Sequence, residues 1–249
     1  MSYLFLSHRI DKDTPGFGGI SDFNLKVVKN LSEGASCNVS RIEMSMHLGT
    51  HVDAPFHFCE SGGTVDEIEA NQWVFRKIAF VRLKDVLANS IIDHGSWCEE
   101  LPHDLDLLLL KTGFEELRGS SLYWQQNPGL SPALGDWLRV NRPTLRALGF
   151  DFISASSFTN RKLGRLAHRA FLEHDKSKGR PILLMEDLHL KDLHDEPIEV
   201  IGLPLRVFKA DGAPMTIIAK IGVSSDFSCD DTCASRKPAG EEKKSETYR

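Results

Sequence analysis

The chain has 249 residues, of which 41% are hydrophobic and 26% charged, and this balance suits one large α/β domain. Its net charge of −5 and the lack of a basic block argue against a role in binding nucleic acid. No apolar run approaches the length of about 18 residues that a membrane span needs, and the N-terminus lacks the pattern of a signal peptide. We therefore expect a cytoplasmic protein with no membrane partner.

Alternating or continuously apolar segments in the first half of the chain predict strands. We expect strands over Tyr3 to Ile10, Arg41 to Leu48, Ile78 to Val86 and Leu105 to Lys111. The last of these is nearly all apolar, which is typical of a strand that is buried on both faces. The segment Asp11 to Gly19 is rich in turn residues and is long enough to act as a flap.

The second half of the chain interleaves predicted helices with predicted strands. Helices are expected from the N-cap Ser131 to about Leu148 and over Arg161 to Lys176. Strands are expected over Phe150 to Ser156, within Pro181 to Leu190, and as a pair across a hairpin-like turn, Ile198 to Phe208 with Met215 to Val223. This order predicts an α/β fold, a single domain with a mixed sheet and flanking helices.

We place this domain over residues 1–223, because no internal repeat or second boundary interrupts it. From residue 224 to residue 249 the composition changes to charged and small residues, with almost no large apolar side chains. A segment of that composition cannot bury enough apolar surface to offset the entropy of ordering. We therefore expect residues 224–249 to form a largely disordered charged tail.

One segment concentrates the residue types that bind metal ions. His47, His51, Asp53 and His57 lie within eleven residues, and the chain has ten histidines in all. A regular strand would hold His47 and His51 about 13 Å apart, too far for one ion, and Gly49 disfavours a helix. We expect a bend at Gly49, where a strand gives way to a loop and the two imidazoles come together. Imidazole and carboxylate ligands favour Zn²⁺ or Mn²⁺ over Ca²⁺.

The spacing of these residues resembles the signature of the cyclase family of metal-dependent hydrolases, which includes bacterial kynurenine formamidase and isatin hydrolase. Later segments resemble further landmarks of that family in the same order, namely Lys111 to Gly113, Pro128 to Ser131, Asp151, Ala167 to Arg169 and Glu186 to Leu188. The resemblance extends over most of the chain, from about Leu4 to Val223. It implies a swivelling β/β/α cyclase-like fold.

The resemblance also implies a site for two divalent ions, with zinc as the first choice and manganese as the alternative. The implied metal ligands are His47, His51, Asp53, His168 and Glu186. Asp53 would bridge the two ions, and His168 and Glu186 would complete the second ion's ligands. Without the resemblance, His168 would be interpreted as a surface residue of a helix and Glu186 as a solvated carboxylate.

His57 would then be the catalytic histidine. The implied reaction is the hydrolysis of an amide, formamide or lactam C–N bond in a small molecule by a water that the metal ions activate, with His57 moving a proton to the leaving nitrogen. The family also implies a homodimer or homotetramer. Of the other histidines, His174, His189 and His194 are interpreted as surface residues, with His189 the best candidate for a contact to the metal ligands.

Two alternatives stay open at this point. The same metal ions could serve a cyclase or lyase that stabilises an enolate, or the chain could be a non-catalytic binding module that metal ions stabilise. A binding module predicts a closed ligand set with no additional histidine in the cavity. His57 is a fourth side chain beyond the three implied ligands of its segment, which argues against a binding module. Departures from the formamidase pattern, including Asp151 to Phe158 and a longer interval between His168 and Glu186, indicate a changed substrate pocket.

Overall fold

The structure is a computed structural model, and it describes residues 2–175 and 177–222. The predicted tail over residues 224–249 lies outside the described residues. Nine strands form one large mixed sheet, and two further pairs of strands lie apart from it. The predicted α/β class with a mixed sheet and flanking helices is therefore confirmed.

The strands are short, and most are joined by long connections. They are β1 (Ser2–Phe5), β2 (Asn24–Lys29), β3 (Val39–Glu43), β4 (His51–Asp53), β5 (Val74–Phe75), β6 (Ile78–Arg82), β7 (Ile91–Ile92), β8 (Leu107–Lys111), β9 (Gly129–Leu130), β10 (Ala147–Phe150), β11 (Leu183–Glu186), β12 (Glu199–Pro204) and β13 (Gly212–Ile221). The α-helices are α1 (Ser96–Glu99), α2 (Leu122–Gln125), α3 (Pro132–Asn141) and α4 (Arg161–Leu172). Short 3-10 helices cover Leu31–Glu33, Pro55–His57, Val65–Glu67, Ala70–Trp73, Phe114–Leu117 and Phe158–Asn160.

The large sheet has the order β5-β12-β13-β4-β11-β10-β8-β6, and β1 pairs with the far end of β13. Strands β6, β8, β10 and β11 are parallel, whereas β4 runs antiparallel to both of its neighbours, β11 and β13. The register places His51 opposite Glu186 and Asp53 opposite Gly212. Because directly paired residues and residues two apart share a face, His51, Asp53 and Glu186 point the same way.

The sheet is buried on both faces along its parallel half. In β8, Leu108 and Leu110 pack in one apolar core with residues of α3 and α4, whereas Leu107 and Leu109 pack in a second core on the opposite face. All four leucines are fully buried. The prediction of a strand buried on both faces is therefore confirmed for this segment.

Several element boundaries differ from the sequence predictions: the strand expected over Phe150 to Ser156 is observed over Ala147–Phe150, and the strand expected over Tyr3 to Ile10 ends at Phe5. The strand expected over Arg41 to Leu48 ends at Glu43, because β3 pairs only with β2 in a separate hairpin and the chain then turns toward β4. The helix expected to reach Leu148 ends at Asn141, two residues before Pro143, whose ring and missing N–H end a helix. Over residues 2–175 and 177–222, no helix has the length and apolar character that a bilayer span requires.

Candidate metal centre

The turn that precedes β4 brings His47 next to His51. Gly49 in this turn has φ of +70°, a left-handed conformation that favours glycine. A Cβ there would meet Ile10 and Thr14, each at 3.3 Å. The ring centroids of His47 and His51 consequently lie 5.2 Å apart. The expected bend at Gly49 is present. It brings together two imidazoles that a regular strand would hold about 13 Å apart.

The tautomer of His51 is fixed by the same turn. Its Nδ1 donates a hydrogen bond to the carbonyl oxygen of Gly49 at 2.8 Å, because a carbonyl can only accept. Its Nε2 lies 3.4 Å from Asp53 Oδ1 and 3.4 Å from Glu186 Oε2. In the neutral ring this nitrogen carries the lone pair, which is the form that binds a metal ion.

Helix α4 supplies His168 in the matching orientation. The side chain of Asn160 caps the helix by accepting from the backbone N–H of Leu163. Inside the helix, His168 Nδ1 donates to the carbonyl oxygen of Gly164 at 2.8 Å, so in the neutral ring Nε2 again carries the lone pair. That Nε2 lies 3.4 Å from Asp53 Oδ2 and 3.4 Å from Glu186 Oε1. Two imidazoles on different elements are thus aimed at the same two carboxylates.

The two carboxylates need a compensating positive charge. Asp53 is 1% exposed and Glu186 is 3% exposed, and within the described residues their ion-pair partners are all histidines. Burial would raise the pKa of Asp53, but its contacts with His168, His47 and His51 hold that pKa well below its usual range. Burying an uncompensated carboxylate is costly, so this site must hold protons or cations.

These carboxylates shift the pKa of the histidines in the opposite direction, upward. Burial alone would lower the pKa of His168, but the hydrogen bonds with Asp53 and Glu186 outweigh it and raise the pKa to about 10. The negative potential of the two carboxylates stabilises a proton on Nε2, and it would stabilise a divalent metal ion at the same position. Imidazole and carboxylate donors without a thiolate fit Zn²⁺ and Mn²⁺. The residues present therefore fit the implied metal ions.

Asp211 is a site residue that the sequence interpretation missed. It lies immediately before β13, in the turn that was interpreted only as a hairpin connection. Its Oδ2 lies 2.8 Å from Nε2 of His47 and 2.8 Å from Nδ1 of His57. An Asp-Gly pair is what such a turn favours on its own, so the local sequence masked this contact. The pairing of β13 with β4 places Asp211 beside these histidines, and the sequence alone does not reveal that pairing.

The six residues singled out from the sequence all come together. His47, His51 and Asp53 form one group and Asp53, His168 and Glu186 form another, and within each group the ligand atoms lie within 4.8 Å of one another. His57 stacks on the ring of His47, with 4.0 Å between centroids. Asp53 belongs to both groups, as a bridging carboxylate would. The roles of ligand and catalyst stay predictions.

These residues line one cavity of about 290 Å³. Phe17, Phe58 and Ile153 give it apolar walls, and the exposed residues Arg161 and Arg165 lie on its rim. Phe58 also stacks on the imidazole of His168 at 4.5 Å between centroids, which covers one side of the cluster. His189, interpreted as a surface residue and as the best candidate for a contact to the metal ligands, makes no such contact among the described residues. Its ring instead contacts Glu115 and Asp192.

The comparison with known proteins agrees with this geometry. A family model described as "Putative cyclase" matches residues 4–156, which is more than half of the chain. The chain belongs to this cyclase family. The resemblance that the spacing of the histidines and Asp53 suggested is therefore confirmed.

Relatives of this cyclase-family chain align over nearly its whole length. "Kynurenine formamidase" of Geobacillus thermodenitrificans (strain NG80-2) is 28% identical over 217 residues, covering 86% of this chain and 94% of the relative. "Kynurenine formamidase" of Bacillus cytotoxicus is 26% identical over 220 residues, covering 88% of this chain and 97% of the relative. Isatin hydrolase A from Labrenzia aggregata shares the fold with a TM-score of 0.73 at 22% identity, covering 88% of this chain and 93% of that one.

Proposed function

We propose that this chain is a metal-dependent hydrolase that cleaves the C–N bond of an amide, formamide or lactam in a small aromatic substrate. One observation carries the proposal. The buried carboxylate of Asp53 stands between two groups of ligand atoms, and both groups open into the same cavity. The names of the relatives, kynurenine formamidase and isatin hydrolase, support the same reaction class.

The chain's own residues would bind two divalent ions, zinc first and manganese as the alternative. His47, His51 and Asp53 would hold one ion, and Asp53, His168 and Glu186 the other. Bound there, the ions would supply the Lewis acidity that activates water and polarises an amide carbonyl. The protein fixes its ligands in advance: Ala155 N–H donates to Glu186 Oε1 at 2.7 Å, and backbone carbonyls orient His51 and His168.

His57 is the residue that we propose moves the proton. It lines the cavity, and its Nδ1 is engaged by Asp211 at 2.8 Å, so Nε2 is the nitrogen available for exchange. An imidazole in this position can take a proton from the attacking water and deliver it to the leaving nitrogen. Both transfers require the ring to keep one orientation, and stacking on His47 restricts its rotation.

The shape of the cavity limits the substrate. A volume of about 290 Å³ lies at the lower end of the range for small-molecule sites. Phe17, Phe58 and Ile153 provide apolar contacts for an aromatic ring, and Arg161 and Arg165 place two guanidinium groups at the rim. We infer an aromatic amide that carries an anionic group, such as a carboxylate, directed toward α4.

The proposal is tested by assaying the full chain after chelation and again after loading with Zn²⁺ or Mn²⁺. N-formylkynurenine, isatin and a panel of aryl amides and esters serve as substrates. We expect turnover only in the loaded protein, a loss in His57→Ala of about 10²- to 10⁴-fold in kcat, and no loss in the exposed variant His103→Ala. Absence of turnover across the panel, or full activity in His57→Ala, would overturn the proposal.

We also propose that the protein forms a homodimer or homotetramer. The hairpin of β2 and β3 stands apart from the large sheet and exposes Leu25, Val27 and Ile42 by 53%, 60% and 60%. Exposed apolar side chains grouped on one hairpin are typical of a contact between subunits. Light scattering should give a multiple of the 27.9 kDa chain mass, and Leu25→Glu with Ile42→Glu should lower it. A monomeric mass for the unmodified protein would contradict this.

A further inference from the structure

A second group of metal-binding side chains lies outside the cavity. It consists of His8 after β1, Glu115 in the 3-10 helix Phe114–Leu117, and His189 after β11, and we call it the His8 cluster. Its ligand atoms lie within 4.8 Å of one another. The cavity that contains Asp53 is lined by other residues. The cluster therefore requires its own explanation.

His8 presents a buried nitrogen with no partner. Within the described residues, its Nε2 is shielded from solvent and makes no hydrogen bond, although Asp187 Oδ1 lies 4.0 Å away, at the limit of an ion pair. Burial outweighs the attraction of Asp187 and lowers the pKa of His8 to about 4, so the ring is neutral near pH 7. A buried polar atom without a partner is costly and rare in a folded protein. An ion bound at Nε2 would satisfy it.

His189, in contrast to His8, has a carboxylate oxygen beside each of its ring nitrogens. Nδ1 lies 2.9 Å from Glu115 Oε1, and Nε2 lies 3.1 Å from Asp192 Oδ2. A neutral imidazole carries one N–H and can donate to only one of these oxygens, so the other contact needs an additional proton or a cation. With a cation between Nδ1 and Glu115, the single N–H would serve Asp192. That arrangement, ligand histidine backed by a carboxylate, is common at metal sites.

The carboxylate of Glu115 is itself held in place. Its side chain is 3% exposed, and Oε2 accepts the backbone N–H of Leu190 at 2.6 Å, which leaves Oε1 directed at His189. Nearby, Asp187 is neutralised by Arg118, which contacts it at 2.7 Å. Glu115 places a buried carboxylate in the cluster, and the exposed Asp192 adds a second carboxylate at its edge.

We propose that His8, Glu115 and His189 bind a divalent transition-metal ion of the zinc type, at a site separate from the cavity. Two imidazoles and one carboxylate form a known zinc ligand set that leaves one position for water. The three residues come from the segments that follow β1, β8 and β11. An ion here would join these three segments, which are distant in the chain.

Zinc content tests the proposal. The full chain is equilibrated with Zn²⁺, desalted and measured for bound zinc per chain, beside His8→Gln, His189→Gln and the control His194→Gln, an exposed histidine of the same loop. We expect each of the first two variants to lose one zinc per chain relative to the control. Circular dichroism checks that the variants fold. Equal zinc content in all four folded proteins would overturn the proposal.

Diffraction from the unmodified protein decides the matter if the variants do not fold. Crystals grown with Zn²⁺ are measured at the zinc absorption edge. We expect an anomalous peak bounded by His8 Nε2, Glu115 Oε1 and His189 Nδ1, in addition to any peak at Asp53. A peak at Asp53 with none at the His8 cluster would refute the second site and leave the proposed hydrolase intact.

Discussion

Oδ2 of Asp211 lies 2.8 Å from Nδ1 of His57 and also 2.8 Å from Nε2 of His47. One carboxylate oxygen therefore sets the orientation of two imidazoles whose rings stack at 4.0 Å. Because a carboxylate only accepts, the N–H of each neutral ring points to Asp211. That leaves Nδ1 of His47, which lies 2.8 Å from Asp53 Oδ1, to share a proton or a metal ion with that oxygen, and it leaves Nε2 of His57 for the proposed substrate. Asp211 is thus a positioning residue for both histidines.

Replacing Asp211 with Asn tests this relationship. The amide removes the negative charge and can donate where the carboxylate only accepted, so both rings lose their fixed tautomer. We expect kcat to fall by about 10- to 100-fold while KM changes little, which is the usual effect of removing a carboxylate behind a ligand histidine. Steady-state kinetics on the metal-loaded protein measures both. Asp195→Asn, at an exposed position in the loop after β11, is the control and should behave as the unmodified protein. An unchanged kcat in Asp211→Asn would show that the contacts of Asp211 with His47 and His57 do not contribute to catalysis.

Gly212→Ala should disturb the centre through packing alone. A Cβ at Gly212 would lie 2.5 Å from Cε1 of His47 and 2.8 Å from the carbonyl oxygen of Val52, and the backbone atom cannot move aside easily. We expect weaker zinc binding and a stability loss of about 1–3 kcal/mol, as for other overpacked sites. Metal content and thermal unfolding report the two effects. Gly119→Ala is the matched control, because a Cβ there meets nothing within 4 Å. Equal behaviour of the two variants would contradict the tight packing of His47.

The arginines at the rim should act on binding and leave the chemical step unchanged. We expect Arg161→Ala and Arg165→Ala to raise KM for an aryl amide that bears a carboxylate by about 3- to 10-fold each, since exposed charge pairs contribute modestly. An uncharged analogue with the same ring should be unaffected. Arg169→Ala, also exposed on α4 but outside the cavity lining, is the control. Equal losses for charged and uncharged substrates would argue against an anionic group at the rim.

The candidate site was predictable from sequence to the extent that its residues are close in the chain. His47, His51, Asp53 and His57 share one segment, and Gly49 signalled the bend that gathers them. His168 and Glu186 entered only through the family resemblance, because a helical histidine or a glutamate after an apolar strand is ordinary in isolation.

The fold itself was predictable where one signal dominated. The apolar run of β8 and the N-cap of α3 at Ser131 both appear as expected, since burial and capping are local properties. Asp211 required knowledge that β13 pairs with β4, and the His8 cluster required contacts between segments more than seventy residues apart. Such contacts depend on sheet register, which local patterns do not determine.

The most direct test of the central claim is to measure bound metal and turnover on the same samples as the chelated chain is reconstituted with Zn²⁺ or Mn²⁺. We predict that amide hydrolysis is absent without metal and rises with the ions bound. Asp53→Asn should lose both the ions at the cavity and the activity, because it removes the carboxylate shared by the two groups of ligands. Full turnover by the metal-free chain, or by Asp53→Asn with its metal content unchanged, would contradict the account.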